Sequence, residues 1–477
     1  MALPVLAALA ITAVQLTPCH VPGVAESLKC GVHKVYENRQ TMRGRQLPLK
    51  IIVIPARNPH PSQGPVFYLT GGPGETDADM AVDLVTSPER ETHEIVLVDE
   101  RGTGDGHRLD CPSPFSDDNL QGYFKGPYKA EALKQCAAQL SQNFDLTQYT
   151  TANFADDLDE VRQAMGYDRI NLEAGSFGTY AAMTYIRRHG AHVRSAYLSS
   201  LVVLDNKVPL NHARAAQEGL DALLTQCEAD AACRGAYPAV RSDIAEILER
   251  LRAHPVDTWV RHPVSGARTP VQLDATAFAD GMRTMLYAAP AAHELPRLIS
   301  KAKAGDFSSF AERAMAANRN IYGGLRMGFS LLITCNEFVA RIRPEEIAPA
   351  VRGTFLGDWR VRAQIAVCAD WPRTNLPADY FAPFDSSVPT VLVSGEMDPA
   401  SRPIWGDIAA KSLPNSVHVV VPGGAHVPES ACVSDVREQL FASGAVKGLD
   451  IGCVAQIRPP PFKLPEAVKD GGSERGL

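Results

Sequence analysis

Short apolar runs that alternate with helical segments constrain the fold of this chain more than any other feature of its sequence. Several of these runs are apolar throughout, as expected of strands that are covered on both faces of a mostly parallel sheet. Helical patterns over Asp156–Met165 and Tyr180–His189 lie between the runs. This alternation predicts an α/β architecture, in which helices flank a central sheet. The predicted strands are Leu49–Ile54, Val66–Thr70, Ile95–Asp99, Ile170–Glu173, Tyr197–Leu201, Thr390–Ser394 and Val417–Val421.

The alternation stops after about residue 205 and resumes near residue 388. Between these points Ala, Leu, Arg and Glu recur at helical spacing, as in the segment AEILERLRAH. We therefore predict a core built from residues 14–204 and 388–456, interrupted by a mainly helical cap at 205–387. Residues 457–477 have the composition of turns and linkers, and we expect them to form a mobile tail.

The chain begins with a run of small and apolar residues, MALPVLAALAITAV, which is typical of a secretory signal peptide. We predict that residues 1–13 form such a signal, although no Lys or Arg precedes the run. A buried N-terminal strand or helix is the alternative. The run is too short to span a bilayer, and no later segment reaches about 18 uninterrupted apolar residues. We therefore expect no stable membrane insertion.

The ten cysteines indicate a compartment outside the cytosol. An even number is compatible with several disulfides, which form in oxidising environments. Pairing of neighbours would close local loops, but the sequence leaves the connectivity open. Zinc binding is disfavoured, because no CxxC pair occurs and no His stands at ligand spacing from a cysteine. We predict a secreted or periplasmic protein whose disulfide candidates are Cys19, Cys30, Cys111, Cys136, Cys227, Cys233, Cys335, Cys368, Cys432 and Cys453.

The net charge argues against a polyanionic partner. The chain has 47 basic and 54 acidic side chains, a formal balance of −7. Such a balance gives no strong electrostatic attraction to nucleic acid or to an anionic membrane. It fits a small neutral or zwitterionic substrate.

A tight turn with a serine at its tip is predicted directly after the strand Ile170–Glu173. The segment EAGSFGT has small residues two positions before and two positions after Ser176. A nucleophile elbow requires such neighbours, because bulky side chains would stop the hydroxyl from standing clear of the sheet. Ala174 replaces the first glycine of the G-x-S-x-G pattern, and a methyl group is tolerable there. The helix that follows would place its positive end beneath the developing charge.

Two further segments complete a candidate triad. Asp398 lies in GEMDP and His426 lies in PGGAH, each just past a predicted strand. A carboxylate at the first position can orient the imidazole of His426, which can take the proton of Ser176. Glu396 and Asp407 are alternatives for the acid, and a helix cap at Asp398 with a surface loop at His426 is the non-catalytic alternative. The order Ser, Asp, His is that of the α/β-hydrolases, and it predicts that fold with the cap inserted.

The glycine-rich segment TGGPG follows the strand that ends at Thr70. Consecutive glycines expose backbone N–H groups, and we predict that the N–H groups of Gly72 and Phe177 form an oxyanion hole. An ordinary glycine turn is the alternative for this loop.

The GGPG loop, the segment DERGTG at 99–104 and the segment AGSFGT, in this order, resemble the prolyl aminopeptidase and tripeptidyl aminopeptidase family of α/β-hydrolases. The likeness extends to the C-terminal segment around His426 and Cys432, as in exported bacterial members with a TAP-like C-terminal segment. The chain departs from the family at Thr70, where His is usual, and at Glu100, where Gln is usual. These departures bear on substrate preference. Arg101 is expected to brace the site rather than to take part in the chemistry.

Together the residues predict acyl transfer to water by Ser176, without a metal or an organic cofactor. The resemblance implies that N-terminal residues are removed from peptides, and that carboxylates of the cap bind the free amine. Glu337, two residues after Cys335, and Glu75, directly after GGPG, are candidates, although either can be a solvated carboxylate. A carboxylesterase with the same triad is the first alternative, and a non-catalytic binding protein on a hydrolase scaffold is the second.

Overall fold

The computed structural model describes residues 13–58, 63–377 and 379–465. The predicted signal peptide therefore lies outside the described residues except for Ala13, as do residues 466–477 of the predicted tail.

The described residues form a large sheet and a separate hairpin. The strands are β1 (Thr17–Cys19), β2 (Leu28–Tyr36), β3 (Gln46–Ile54), β4 (Val66–Leu69), β5 (Ile95–Val98), β6 (Ile170–Gly175), β7 (Val193–Ser199), β8 (Val256–Arg261), β9 (Arg268–Leu273), β10 (Thr390–Gly395) and β11 (Ser416–Val421). The large sheet has the order β1-β2-β3-β5-β4-β6-β7-β10-β11. Its pairs β1–β2, β2–β3 and β3–β5 are antiparallel and the others are parallel. The predicted mostly parallel α/β architecture is confirmed.

The helices cover both faces of the sheet and build the insertion. They are α1 (Ala81–Leu84), α2 (Ala130–Leu140), α3 (Thr151–Ala164), α4 (Phe177–His189), α5 (Val208–Ala229), α6 (Ala231–Ala236), α7 (Val240–Ala253), α8 (Ala275–Met285), α9 (Ala289–Ala292), α10 (Leu295–Lys303), α11 (Ser308–Tyr322), α12 (Met327–Ile333), α13 (Pro344–Val351), α14 (Trp359–Ala369), α15 (Pro403–Ser412) and α16 (Ala431–Ser443). Within the described ranges, no helix has both the length and the hydrophobicity needed to cross a membrane.

Strand residues alternate between two apolar layers. Phe67 and Leu69 of β4 belong to the layer that α3 and α4 cover, whereas Val66 packs in the layer of α16. The central strands were predictable because both faces are buried and nearly every residue is apolar. Strand β7 begins at Val193, four residues before the predicted start at Tyr197.

Strands β1 and β2, the outermost strand of the sheet and its neighbour, were not predicted. The sequence of β2, LKCGVHKVY, places buried residues beside exposed ones, and so it lacks the continuous apolar pattern of the inner strands. These two antiparallel strands extend the sheet at the end formed by the first residues of the described chain.

The insertion between β7 and β10 is mainly helical, with an apolar core of its own. Leu223 of α5, Phe278 of α8 and Phe310 of α11 are fully buried in that core. The hairpin β8–β9 also lies in the insertion, and no strand was predicted there, because the segment was expected to be mainly helical. Because β7 and β10 are adjacent parallel strands, the chain leaves the sheet and returns to it at neighbouring positions.

The ten cysteines form five disulfides between neighbours along the chain, and no free cysteine occurs among the described residues. The pairs are Cys19–Cys30, Cys111–Cys136, Cys227–Cys233, Cys335–Cys368 and Cys432–Cys453.

The described part of the predicted tail lies against the cap. The hydroxyl of Tyr237 donates to the carbonyl of Lys463 at 2.8 Å, and the ring centroid of Phe462 is 4.7 Å from that of His293. Phe462 also packs against the apolar core of the insertion. The mobility of the tail stays a prediction.

Candidate active site

Ser176 occupies a strained turn between β6 and α4. Its backbone has φ 55° and ψ −125°, a conformation that L-residues rarely adopt. A residue larger than glycine does not fit at position 178, because its Cβ atom would lie 2.1 Å from the carbonyl oxygen of Leu69 in β4. The glycine lets α4 start against the end of β4, and this close approach fixes the position of Ser176.

Asp398 and His426 meet at the ends of β10 and β11. Both carboxylate oxygens of Asp398 lie within hydrogen-bond distance of His426 Nδ1, at 3.0 and 2.9 Å. The Nε2 atom of His426 has no hydrogen-bond partner among the described residues. The rings of His426 and Tyr287 are in contact, with centroids 4.8 Å apart. The backbone N–H of His426 donates to the backbone carbonyl of Tyr287.

Asp398 is fully buried, and hydrogen-bond donors surround it. Besides His426, it accepts hydrogen bonds from the hydroxyl of Ser200 at 2.7 Å and from the N–H groups of Ala400 and Ser401, both at 2.8 Å. The Ser200 hydroxyl accepts in turn from the N–H of Val427, beside the histidine. These contacts satisfy the carboxylate and hold it in one orientation.

The two alternative acids have other partners. Glu396 is exposed and accepts a hydrogen bond from the N–H of Gly423 at 2.7 Å. Asp407 is paired with His418 at 2.9 Å. Of the three acids weighed from the sequence, only Asp398 is recorded in contact with His426.

The glycine loop after β4 lies beside the serine. A Cβ atom on Gly71 would be 3.7 Å from the Oγ atom of Ser176. The N–H of Thr70 donates to the buried carboxylate of Asp77 at 2.7 Å and so anchors the start of the loop. Burial raises the pKa of Asp77 well above its usual range. Within the described ranges, the N–H groups of Gly72 and Phe177 donate to no protein acceptor.

A cavity of about 330 Å³ lies between the sheet and the insertion, and its wall brings the predicted residues together. Ser176, His426, Gly72, Phe177 and Glu75 all line it. The insertion supplies much of the rest of the wall, including His212, Arg283, Tyr287, Tyr322 and Arg360.

The two carboxylates predicted to bind an amine have different environments. Glu75 lines the cavity, and its Oε2 accepts a hydrogen bond from the Thr70 hydroxyl at 2.9 Å. Glu337 is fully buried, does not line the cavity, and accepts a hydrogen bond from the N–H of Thr151 at 2.9 Å. Burial also raises its pKa. The position of Glu337 therefore does not support the expected contact with a substrate amine.

Arg101 follows β5, and its side chain is fully buried. Its guanidinium donates to both carboxylate oxygens of Asp157, at 2.7 and 2.8 Å, and to the carbonyls of Glu37 and Gln148. These contacts link the residue after β2 to α3 and to the turn before α3. They are consistent with the structural role that was expected of Arg101.

Sequence reasoning missed the polar residues that the insertion contributes to the cavity. Arg283 and Arg360 come from separate helices, α8 and α14, and no motif links them. His212, on α5, accepts a hydrogen bond from Arg360 through Nδ1 at 3.1 Å. Burial, and then the charges of Arg360 and Arg283, hold the pKa of His212 well below its usual range.

Two family models match the chain. Residues 64–226 match the model described as alpha/beta hydrolase fold, and residues 354–453 match the model described as TAP-like protein. The first range contains the serine turn and the second contains Asp398 and His426.

Among curated proteins, serine protease Hip1 of Mycobacterium tuberculosis (strain ATCC 25618 / H37Rv) is 26% identical over 430 residues, which is 81% of this chain and 80% of that protein. Tripeptidyl aminopeptidase of Streptomyces coelicolor is 22% identical over 439 residues, which is 84% of this chain and 78% of that protein.

Among solved structures, proline iminopeptidase of Mycobacterium smegmatis is 16% identical, with a TM-score of 0.38, and the match covers 87% of this chain and 98% of that one. A thermophilic esterase from Thermogutta terrifontis is 14% identical, with a TM-score of 0.38, and the match covers 86% and 96%. On the family models and the curated relatives, the chain is an α/β-hydrolase with a TAP-like C-terminal segment, distantly homologous to serine protease Hip1 and tripeptidyl aminopeptidase.

Proposed function

We propose that the chain is a serine hydrolase that acts as an aminopeptidase, releasing N-terminal residues from peptides through an acyl-enzyme on Ser176. The observation that carries this proposal is the shared cavity. It joins a serine in a strained turn, a histidine bonded to a buried aspartate, and two N–H groups that donate to no acceptor among the described residues. The names of the two curated relatives, a serine protease and a tripeptidyl aminopeptidase, support peptides as the substrate.

In the proposed mechanism, His426 Nε2 takes the proton of Ser176 as its Oγ attacks the scissile carbonyl carbon. The new C–O bond converts the carbonyl oxygen to an oxyanion, which accepts hydrogen bonds from the N–H groups of Gly72 and Phe177. His426 then gives the proton to the leaving nitrogen as the C–N bond breaks. Water, deprotonated by the same histidine, hydrolyses the acyl-enzyme and restores Ser176. No metal or organic cofactor enters these steps.

Asp398 serves this cycle as an orienting group. Its carboxylate accepts from His426 Nδ1, which leaves Nε2 as the atom that exchanges the proton with Ser176. Because Ser200, Ala400 and Ser401 also donate to it, the carboxylate can stabilise the imidazolium without rotating.

Glu75 is the proposed partner of the substrate amine. Within the described part of the chain its carboxylate forms no ion pair, and its only recorded side-chain hydrogen bond comes from Thr70. The same Oε2 atom would be 3.2 Å from a Cβ on Gly71, which in turn contacts Ser176. A carboxylate without a cationic partner, close to the nucleophile, suits an ammonium group on the acyl side of the scissile bond.

Labelling with a fluorophosphonate probe tests the nucleophile, since only an activated serine reacts. We expect wild-type protein to be labelled, and Ser176→Ala to lose labelling and turnover while it keeps its fold. Near-wild-type turnover by Ser176→Ala would refute the assignment. Absence of labelling in the wild type would favour a non-catalytic binding protein.

A substrate panel tests the exopeptidase assignment. We expect an aminoacyl amide to be cleaved faster than its N-acetylated counterpart, and Glu75→Gln to reduce this preference by about ten-fold or more. Asp83→Asn, an exposed carboxylate on α1, is the matched control and should leave the preference unchanged. Faster cleavage of the N-blocked peptide would contradict the proposal.

The apolar part of the wall favours a carboxylesterase as the second candidate. Val202, Val208, Ile321, Leu325 and Phe338 line the cavity and could accept the acyl chain of a small ester. A kcat/KM for short-chain esters well above that for every aminoacyl amide would support this alternative.

The five disulfides favour action outside the cytoplasm, in a secreted or periplasmic protein. A thiol titration of the native protein should find almost none of the ten cysteines free. A count near ten would contradict this location.

A further inference from the structure

Two arginines of the insertion lie in the cavity wall with almost no exposure to solvent. Arg283 of α8 is 1% exposed and Arg360 of α14 is 8% exposed. Neither belongs to the proposed triad or to the oxyanion loop. Buried guanidinium groups are costly unless their charge and their N–H groups are satisfied.

The protein satisfies their hydrogen bonds only in part. Each guanidinium has five N–H donors. Arg283 donates to Asp280, Tyr287 and Tyr322 at 2.9, 3.0 and 2.7 Å. Arg360 donates to His212, Tyr322 and Tyr128 at 3.1, 2.9 and 3.3 Å. The recorded bonds use three donors of each group, so N–H groups remain for a ligand in the cavity.

The charge of the pair is also only partly compensated. Among the described residues, Asp280 is the one carboxylate that pairs with either arginine, at 2.9 Å from Arg283 and 4.0 Å from Arg360. His212 is neutral, because its Nδ1 accepts a hydrogen bond from Arg360. The cluster therefore has two positive charges and one negative charge, which leaves one buried positive charge without a counter-ion.

The cluster adjoins the histidine of the proposed triad. Tyr287 contacts the His426 ring on one side and accepts a hydrogen bond from Arg283 through its hydroxyl on the other. In a serine hydrolase the histidine protonates the leaving group, so the leaving group lies on the histidine's side of the serine. The arginines thus border the part of the cavity that the leaving group would occupy.

We propose that Arg283 and Arg360 form a subsite for a carboxylate on the leaving-group side of the substrate. The proposal rests on the function proposed above and deepens it. With Glu75 near the acyl side and the arginine pair near the leaving group, the cavity is complementary to a zwitterion. The substrates would be short peptides whose carboxylate, either the free C-terminus or an acidic side chain, lies close after the scissile bond.

The test compares alanine peptides of two to five residues as free acids and as C-terminal amides. We expect kcat/KM for the acid to exceed that for the amide by about ten-fold or more at one or more lengths. Amides that contain one aspartate after the scissile bond separate the two sources of the carboxylate. If aspartate raises kcat/KM whereas the free C-terminal carboxylate does not, the subsite binds an acidic side chain. Equal rates for acid, amide and aspartate amide at every length would overturn the proposal.

Two variants connect the preference to the arginine pair. Arg360→Gln should bring the acid-to-amide ratio close to one. Arg362→Gln, two residues later on α14 with its side chain 62% exposed, is the matched control and should keep the wild-type ratio. A wild-type ratio in a folded Arg360→Gln would overturn the proposal. If Arg360→Gln does not fold, the wild-type ratio and the titration below decide.

Calorimetric titration of Ser176→Ala with the same acids and amides separates this proposal from the proposed function. Tighter binding of the acid supports the subsite even if the wild type hydrolyses no peptide, a result that would refute the aminopeptidase alone. Equal binding of acid, amide and aspartate amide would refute the subsite, whether or not the wild type is active.

Discussion

Replacement of Gly178 by alanine should separate the turn geometry of Ser176 from its chemistry. The added Cβ would lie 2.1 Å from the carbonyl oxygen of Leu69 and 2.6 Å from that of Thr70. Both neighbours are backbone atoms of β4 and the loop after it, so neither can rotate away. Because ordinary contacts of a Cβ begin near 3.4 Å and almost none occur below 3.0 Å, α4 and β4 must separate by about 1 Å.

This separation affects both stability and turnover. Overpacking of this kind costs about 1–3 kcal/mol, against a gain of about 0.5–1 kcal/mol from replacing a helical glycine by alanine. Ser176 lies two residues before Gly178, and the proposed oxyanion loop follows Leu69, so the displacement changes the distance between the proposed nucleophile and the proposed oxyanion donors. A misplacement of about 1 Å can cost about 100-fold in rate.

The assay is kcat/KM together with the thermal unfolding midpoint, and Gly235→Ala is the control. Gly235 lies in helix α6 with no atom within 4 Å of an added Cβ. We expect Gly235→Ala to keep the wild-type kcat/KM, with an unchanged or slightly higher unfolding midpoint. We expect Gly178→Ala to have a lower kcat/KM and a lower unfolding midpoint. Labelling of Gly178→Ala by a fluorophosphonate at the wild-type rate, with an unchanged midpoint, would refute the steric reasoning.

Three further substitutions test the surroundings of the site. Ser200→Ala removes the hydroxyl that links Asp398 to the N–H of Val427, and kcat should fall by about ten-fold or more in steady-state assays, with an unchanged KM. Loss of the Cys335–Cys368 disulfide in a double serine variant should lower the free energy of unfolding by about 2–4 kcal/mol in urea titrations. Burial raises the pKa of Asp99 from 3.8 to about 6, so this group favours the folded state below pH 3.8 and that contribution is lost as the pH rises through 6. Asp99→Asn should abolish this loss, so that its free energy of unfolding exceeds that of the wild type by an amount that grows to about 3 kcal/mol between pH 4 and 7. A difference in free energy of unfolding that does not change with pH would contradict this.

The sequence was sufficient to predict the inner strands and the segments that meet at their ends. Strands such as β5 and β10 are buried on both faces, so burial itself produces their apolar pattern. Ser176 and Asp398 each follow such a strand, whereas His426 follows β11, a partly buried strand at the edge of the sheet. Neighbouring parallel strands bring their ends to one side of the sheet.

The wall contributed by the insertion could not be predicted in this way. Arg283 and Arg360 lie on different helices, and only the packing of α8 against α11 and of α14 against α5 brings them to Tyr322 and His212. Glu337 illustrates the opposite error. Because Glu337 is close to Cys335 in the sequence, a carboxylate held in the site by the disulfide was expected. In the structure the helical turn Thr334–Phe338 directs the Glu337 carboxylate to the N–H of Thr151 instead.

The place of the insertion in the chain has a consequence for the order in which the protein is made. The serine turn precedes the insertion, whereas Asp398 and His426 follow it on β10 and β11. A chain that grows from its N-terminus can form the turn early, but it lacks the proposed base, His426, until the residues after β11 have been synthesised. On the proposed triad, a chain that is still growing is inert towards peptides, and hydrolysis begins only after this C-terminal segment has been made and has paired with the rest of the sheet.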